Sequence, residues 1–132
     1  MDQKEIVDDL RTFWEELVFF YTGDKQLMNS FWEELKKYYS LPERHYHNLT
    51  HVYTLIRFIE SNKSHILNYH ALLFSAFYHD VFYDVSRDDN EILSAEIAAK
   101  RLQALNVDKS IINLAVKIIR QTASHSKTNN FD

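Results

Sequence analysis

The chain has 132 residues, of which 45% are hydrophobic, and 19 acidic against 15 basic side chains give a net charge of −4. This length and hydrophobic content argue against a disordered chain and predict one domain over residues 1–132. The absence of cysteine excludes disulfides and thiolate metal sites, and the negative charge argues against nucleic-acid binding through phosphates.

Turn-forming residues are scarce, since the chain has one glycine and one proline. Sheet proteins need many such residues, so the composition favours long helices. The apolar runs are too short to span a bilayer, and the acidic start "MDQKEIVDDL" lacks the apolar centre of a secretion signal. We therefore expect a cytoplasmic protein with no membrane partner.

The N-terminal third predicts two amphipathic helices. Apolar residues recur there at intervals of three or four, which places them on one helix face each. These faces comprise Ile6, Leu10, Phe13, Leu17 and Phe20 in the first helix and Leu27, Phe31, Leu35 and Tyr38 in the second. Between them, Gly23 is expected to end the first helix in the left-handed conformation, and Asp24 to cap the second.

Four further helices follow in the sequence. Asn48 is expected to cap the third, whose apolar stripe includes Val52 and Ile56. The fourth runs from about residue 67 to 82, the fifth from about 91 to 105, and the sixth follows Asp108. The sequence therefore predicts an all-α bundle of about six helices.

His79 and Asp80 stand directly after the apolar run "ALLFSAFY". A helix that is apolar on all sides normally lies at the centre of its domain, where an ionised carboxylate must be paired, hydrogen-bonded or bound to metal. One interpretation is a metal ion that binds both residues. The other is structural, with Asp80 paired to Arg44, Arg57 or Arg120 and His79 donating to a backbone carbonyl.

A third candidate ligand comes from "RHYHNLTHV", residues 44–52. His51 lies at the edge of the apolar stripe of the third helix and is expected to face the fourth. His51, His79 and Asp80 would together offer nitrogen and oxygen ligands without a thiolate. Such ligands suit a divalent Mn, Mg, Co, Ni, Fe or Zn ion.

Four sequence blocks follow one another along the chain. They consist of Arg44, Tyr46, His47, Asn48 and His51, then His79, Asp80, Tyr83 and Asp84, then Asn90, Glu91, Ser94 and Ala95, then Thr122 and His125. In this order and spacing they resemble the HD-domain metal-dependent phosphohydrolases. The likeness is closest to a bacterial subgroup of predicted HD phosphohydrolases and is looser to the cyclic-nucleotide phosphodiesterases. The resemblance implies an HD-type helical bundle with His51, His79 and Asp80 as metal ligands.

The resemblance also implies roles for residues around the metal. His47 would protonate the leaving oxygen, contact phosphate or merely stabilise the loop, and Arg44 would clamp a substrate phosphate or form a surface ion pair. Asp84, one helical turn after Asp80, would hold a second metal or a ligand, or be a loop carboxylate. Glu91 would lie near the metal-bound water, or form a capping box with Asp88.

The implied function is hydrolysis of a small phosphorylated molecule, such as a nucleotide, by a metal-activated water. In the family a last metal aspartate lies beyond the Thr-x-x-His block, whereas Asp132 is the only acidic residue after His125 here. We therefore expect the bundle to lack the C-terminal helices of the family, and its exposed apolar surface to favour a homodimer. The alternatives are a catalytically incompetent module that binds a nucleotide or a protein, and a purely structural bundle.

Overall fold

The computed structural model describes residues 2–42, 44 and 48–128, with side chains described as far as residue 122. These residues form α-helices and one short 3₁₀ turn, and no strand occurs among them, which confirms the predicted all-α class. The helices are α1 (Gln3–Phe19), α2 (Lys25–Tyr39), α3 (Leu49–Ser61), α4 (Tyr69–Tyr78), α5 (Asn90–Ala104) and α6 (Lys109–Thr128). None of the helices described is both long and apolar enough to cross a bilayer.

Helix α4 lies at the centre of the bundle and packs against α3, α5 and α6. Its residues are buried on all sides, as the apolar run predicts. Trp14 of α1 covers this helix, with its ring edge-on to Phe74, Phe77 and Tyr78 at centroid distances of 5.2–6.4 Å. Any polar group at the end of α4 therefore lies against the core of the domain.

Two predicted caps set the starts of α2 and α3. The Asp24 carboxylate accepts a hydrogen bond from the Leu27 backbone N–H at 3.0 Å. The Asn48 side-chain oxygen accepts one from the His51 backbone N–H at 3.1 Å. Each bond satisfies one of the free N–H groups at a helix start, so both sequence predictions are confirmed.

The left-handed residue that the sequence analysis placed at Gly23 lies elsewhere. Gly23 does not have a positive φ; Asn106, directly after α5, has one of 67°. The N–H groups of Asn106 and Val107 donate to the carbonyls of Gln103 and Leu102, which is the Schellman pattern that ends a helix. Because α1 already ends at residue 19, Phe20 is 72% exposed rather than on the buried face predicted for it.

The predicted end of α4 is also wrong. The helix ends at Tyr78 with His79 as its C-cap, four residues before the predicted position at Phe82. The carbonyls near this end accept hydrogen bonds from side chains of other parts of the chain, so the helical pattern does not continue. The expected one-turn spacing between Asp80 and Asp84 is therefore absent.

Candidate metal centre

Three groups able to bind a metal meet where α3 begins and α4 ends. His51 lies in the first turn of α3, His79 caps the end of α4, and Asp80 is the next residue. One ligand atom from each lies within 4.8 Å of the others. Within the described part of the chain this is the only group of three or more His, Cys, Asp or Glu residues arranged in this way. The three ligands inferred from the sequence thus come together.

His51 is positioned by the start of α3. The Asn48 cap fixes the first turn, and Leu49 and Val52 on either side of His51 are buried in the core. His51 is the most exposed of the three candidate ligands, and its ring lies 5.6 Å from that of His79, centroid to centroid. The helix start therefore places the His51 imidazole at an opening to solvent beside His79.

His79 presents one particular nitrogen to the site. Its Nδ1 lies 2.9 Å from the Ala76 carbonyl, which can only accept, so Nδ1–H donates and Nε2 is left for another partner. Nε2 lies 3.2 Å from Asp80 Oδ2. Two ligand atoms about 2.1 Å from one ion lie about 3.0–3.4 Å apart, so this pair already has a suitable separation.

The same two atoms compete for a proton. The His79 and Asp80 side chains are 13% and 20% exposed. Burial alone lowers the pKa of His79, but the hydrogen bond and negative charge of Asp80 outweigh it and raise that pKa above its ordinary value. Metal binding competes with protonation of His79, because a histidine ligand binds in its neutral form.

Arg44 is buried beside the turn that follows α4. It is only 5% exposed, which excludes a surface ion pair. Two of its guanidinium nitrogens donate to the backbone carbonyls of Asp80 and Val81. The guanidinium carbon lies 5.2 Å from the Tyr39 ring centre and 5.6 Å from that of Tyr83. The structure thus gives no support to Arg44 as a phosphate clamp.

Two further side chains hold the turn after α4. The buried Tyr39 hydroxyl donates to the Phe77 carbonyl at 2.8 Å and accepts from the Asp80 N–H at 3.3 Å. The Ser94 hydroxyl donates to the Phe82 carbonyl and accepts from the Phe82 N–H, both at 3.1 Å. The apolar pattern of α2 identifies Tyr39 only as a core residue, and nothing in the sequence indicates this use of its hydroxyl.

Asp84 is a loop carboxylate in the structure. It is exposed and accepts hydrogen bonds from the N–H and hydroxyl of Ser86, at 3.0 and 2.7 Å, which lower its pKa. Because the chain is not helical beyond Asp80, Asp84 does not follow on the same face, and it does not belong to the group of candidate ligands. The structure therefore favours the loop alternative over a second metal site.

Glu91 lies in the first turn of α5 without the predicted capping box. Asp89, not Asp88, precedes the helix, and its carboxylate binds Arg87 instead of capping. Glu91 is partly buried and shares a helix face with Ser94, three residues later, which binds the chain after Asp80. No hydrogen bond or ion pair joins its carboxylate to another described residue. Glu91 therefore stays a candidate for the site.

His47, the predicted general acid, lies outside the described residues.

No family model matches the chain, and no curated protein or solved structure matches it. The geometry of the candidate metal centre and the sequence blocks therefore carry what can be proposed about function.

Proposed function

We propose that this protein is a metal-dependent phosphohydrolase that acts on a small phosphorylated molecule such as a nucleotide. The observation that carries the proposal is the convergence of His51, His79 and Asp80, whose ligand atoms lie within 4.8 Å of one another. The substrate class comes from the resemblance of the sequence blocks to the HD-domain phosphohydrolases and, more loosely, to the cyclic-nucleotide phosphodiesterases.

The chemistry of the three groups fits a divalent ion. Two imidazoles and a carboxylate suit Mn, Mg, Co, Ni, Fe or Zn, and no cysteine is present to favour a softer ion. Three protein ligands leave coordination positions for water and substrate, as in catalytic rather than structural sites. Such an ion supplies Lewis acidity, which lowers the pKa of water and offsets charge on a phosphoryl group.

The metal interpretation involves all three side chains. His79 Nε2 lies 3.2 Å from Asp80 Oδ2, so these two groups partner each other. His51 comes from a different helix, and its ring lies 5.6 Å from that of His79. A shared ion would explain why all three side chains converge, and this supports the metal interpretation.

Residues of the chain itself would then prepare the reaction. The Ala76 carbonyl holds His79 with Nε2 towards Asp80. Glu91 is proposed to lie near the attacking water, and His47 to protonate the leaving oxygen, both on the basis of the resemblance. Partial burial of His79 and Asp80 would strengthen the attraction between these ligands and a divalent ion, because less water screens it.

The test is hydrolysis by the metal-stripped protein after addition of Mn²⁺, Mg²⁺, Co²⁺, Ni²⁺, Fe²⁺ or Zn²⁺, with nucleotides and a generic aryl phosphate as substrates. Asp80→Asn removes the ligand charge but keeps its shape, and we expect it to lower activity more than about 100-fold, since loss of groups that only orient ligands costs about 10–100-fold. Asp24→Asn is the control, because asparagine also caps helices and Asp24 starts α2.

Three outcomes decide between the proposed functions. Metal-dependent hydrolysis that Asp80→Asn removes and Asp24→Asn preserves supports the phosphohydrolase. Metal binding without hydrolysis of any phosphate ester would contradict it and favour the binding module. A folded protein that binds none of these ions would contradict the metal centre itself.

A further inference from the structure

We infer that Arg44 is a positioning residue, which holds the turn that carries His79 and Asp80 in the geometry needed to bind metal. This inference rests on the proposed metal centre for its functional consequence. It replaces the phosphate-clamping role that the sequence indicates for the same residue.

The carbonyls at and just after the end of α4 have hydrogen-bond donors that include side chains of other elements. A helix leaves its last carbonyls without intrahelical donors, and a buried carbonyl without a donor is costly. The Phe77 carbonyl accepts from Tyr39, and the Tyr78 carbonyl from the Val81 N–H. The carbonyls of Asp80 and Val81 both accept from Arg44. Arg44 thus satisfies the two carbonyls that follow the helix cap.

Arginine is suited to this task because its guanidinium is a rigid planar fork. One nitrogen, Nη1, donates to Asp80 and the other, Nη2, to Val81, so the two peptide groups are held relative to one plane. The rings of Tyr39 and Tyr83 lie near the guanidinium and restrict its position. The orientation of two successive peptide groups is therefore fixed from outside the turn.

This orientation determines where the Asp80 carboxylate points. The Asp80 carbonyl that Arg44 binds belongs to the residue whose carboxylate is the candidate ligand, and Val81 next to it is fully buried. With the backbone held on both sides of the Asp80 Cα, by Tyr39 at its N–H and Arg44 at its carbonyl, the side chain leaves in one direction. That direction brings Oδ2 to 3.2 Å from His79 Nε2.

Arg44 also connects the two halves of the centre. It precedes the Asn48 cap by four residues, and Asn48 starts the helix turn that carries His51. Its guanidinium is bound to the turn that follows α4, so Arg44, which precedes α3 in the sequence, is anchored at the residues after His79. We expect loss of this contact to weaken the approach of His51 to His79.

The first test measures metal affinity in purified full-length variants by titration calorimetry with Mn²⁺. Arg44→Met removes both donors and keeps the length of the side chain, and we expect the affinity to fall about 10–100-fold, as for other groups that orient metal ligands. Arg44→Lys keeps the charge and is expected to recover part of this loss. Arg101→Met is the matched control, since Arg101 binds Glu34 through two nitrogens at 2.7 and 2.8 Å between α5 and α2.

Kinetics separate positioning from phosphate binding. A positioning role predicts that Arg44→Met lowers kcat at saturating Mn²⁺ with little change in KM. A raised KM with unchanged Mn²⁺ affinity and kcat would overturn the inference in favour of a phosphate clamp. A loss of stability equal to that of Arg101→Met, with Mn²⁺ affinity unchanged, would overturn it in favour of a purely structural arginine.

A second readout needs neither metal nor activity. In the metal-free protein the rings of His51 and His79, 5.6 Å apart, are close enough for a nuclear Overhauser effect between ring protons, and those of Trp14 and Phe77, at 5.2 Å, report the core. We expect Arg44→Met to lose the first effect and keep the second; retention of both would contradict the inference. If wild-type protein binds no metal, the proposed function fails while this readout still decides the role of Arg44. If Arg44→Met does not fold, Arg44→Lys is compared in the same way.

Discussion

Helices α4 and α5 end by different means. Helix α5 ends through its own sequence, because Asn106 adopts the left-handed conformation, and the N–H groups of Asn106 and Val107 donate back to the carbonyls of Gln103 and Leu102. Helix α4 ends through distant side chains, which come from Tyr39 in α2 and Arg44 before α3. The end that carries the candidate metal ligands is thus the one that depends on the packing of the whole bundle.

The difference has a physical cause in the local sequence. Residues after Tyr78 include no glycine, proline or asparagine before Asn90, so no local signal stops the helix. Donors from other elements satisfy the carbonyls instead, and this tertiary competition overrides the apolar pattern. Variants that remove a distant donor should therefore disturb metal binding, whereas variants at the local stop should change only stability.

Of the variants that compare the two helix ends by stability, Tyr39→Phe should have the largest effect. It leaves the buried Phe77 carbonyl without its donor and the Asp80 N–H without its acceptor, which we expect to lower the free energy of unfolding by about 2 kcal/mol. The Asp80 backbone is then less constrained, so we also expect about a tenfold loss of Mn²⁺ affinity. Denaturant unfolding and titration calorimetry measure the two effects.

Tyr78→Phe is the matched control for that variant. The Tyr78 hydroxyl is fully buried, its pKa is raised by burial, and it has no hydrogen-bond partner in the described structure. Removing it should leave the free energy of unfolding unchanged or higher, because no hydrogen bond is lost. A loss equal to that of Tyr39→Phe would mean that the packed volume of the hydroxyl oxygen, rather than its hydrogen bonds, explains both results.

Asn48→Ala should have an intermediate effect. It removes the side-chain acceptor of the His51 N–H, which we expect to cost about 1 kcal/mol of stability. Because His51 lies in the uncapped turn, metal affinity should also fall. Asp24→Ala removes the equivalent cap of α2 and should cost a similar amount with no change in metal affinity. Equal metal affinities in the two variants would show that the start of α3 does not position His51.

Asn106→Ala should have a smaller effect, confined to stability. Alanine tolerates a φ of 67° less well than asparagine, so we expect a loss of roughly 0.5–1 kcal/mol. Asn106→Gly should keep or raise the stability, since glycine adopts this conformation freely. A fall in metal affinity in the alanine variant would contradict the claim that the end of α5 affects stability but not metal binding.

The smallest effect is expected from His70, in the first turn of α4. Burial lowers the pKa of His70 below its ordinary value of 6.5, so protonation favours the unfolded state. His70 should therefore lower the free energy of unfolding as the pH falls through 6.5 towards the lower pKa that His70 has in the folded protein. Thermal unfolding of the wild type and of His70→Gln between pH 7.5 and 5.5 measures this effect. If the stability of both proteins changed equally with pH, the lowered pKa of His70 would be contradicted.

Sequence patterns predicted the features that depend on neighbouring residues. The caps at Asp24 and Asn48 were predicted because each acts on an N–H three residues away. The buried faces of the helices followed largely from helical spacing, and the all-round apolar α4 is indeed central. The metal ligands were predicted from sequence blocks and meet as expected, although their function stays a prediction.

The failures concern groups whose partners are distant in the sequence. The role of Arg44 depends on backbone carbonyls 36 and 37 residues away, which no local pattern reveals. The predicted end of α4 was wrong for the same reason. Because the helix ends at Tyr78, the expected one-turn spacing between Asp80 and Asp84 was wrong as well. The prediction for Gly23 was wrong because glycine can adopt the left-handed conformation but is not required to do so.

Anomalous X-ray diffraction from crystals grown with Mn²⁺ tests the central claim most directly. We predict one strong peak about 2.0–2.3 Å from an imidazole nitrogen of His51, Nε2 of His79 and a carboxylate oxygen of Asp80. No anomalous density at this position at saturating Mn²⁺, or density only beside exposed loop carboxylates such as Asp84, would contradict the account.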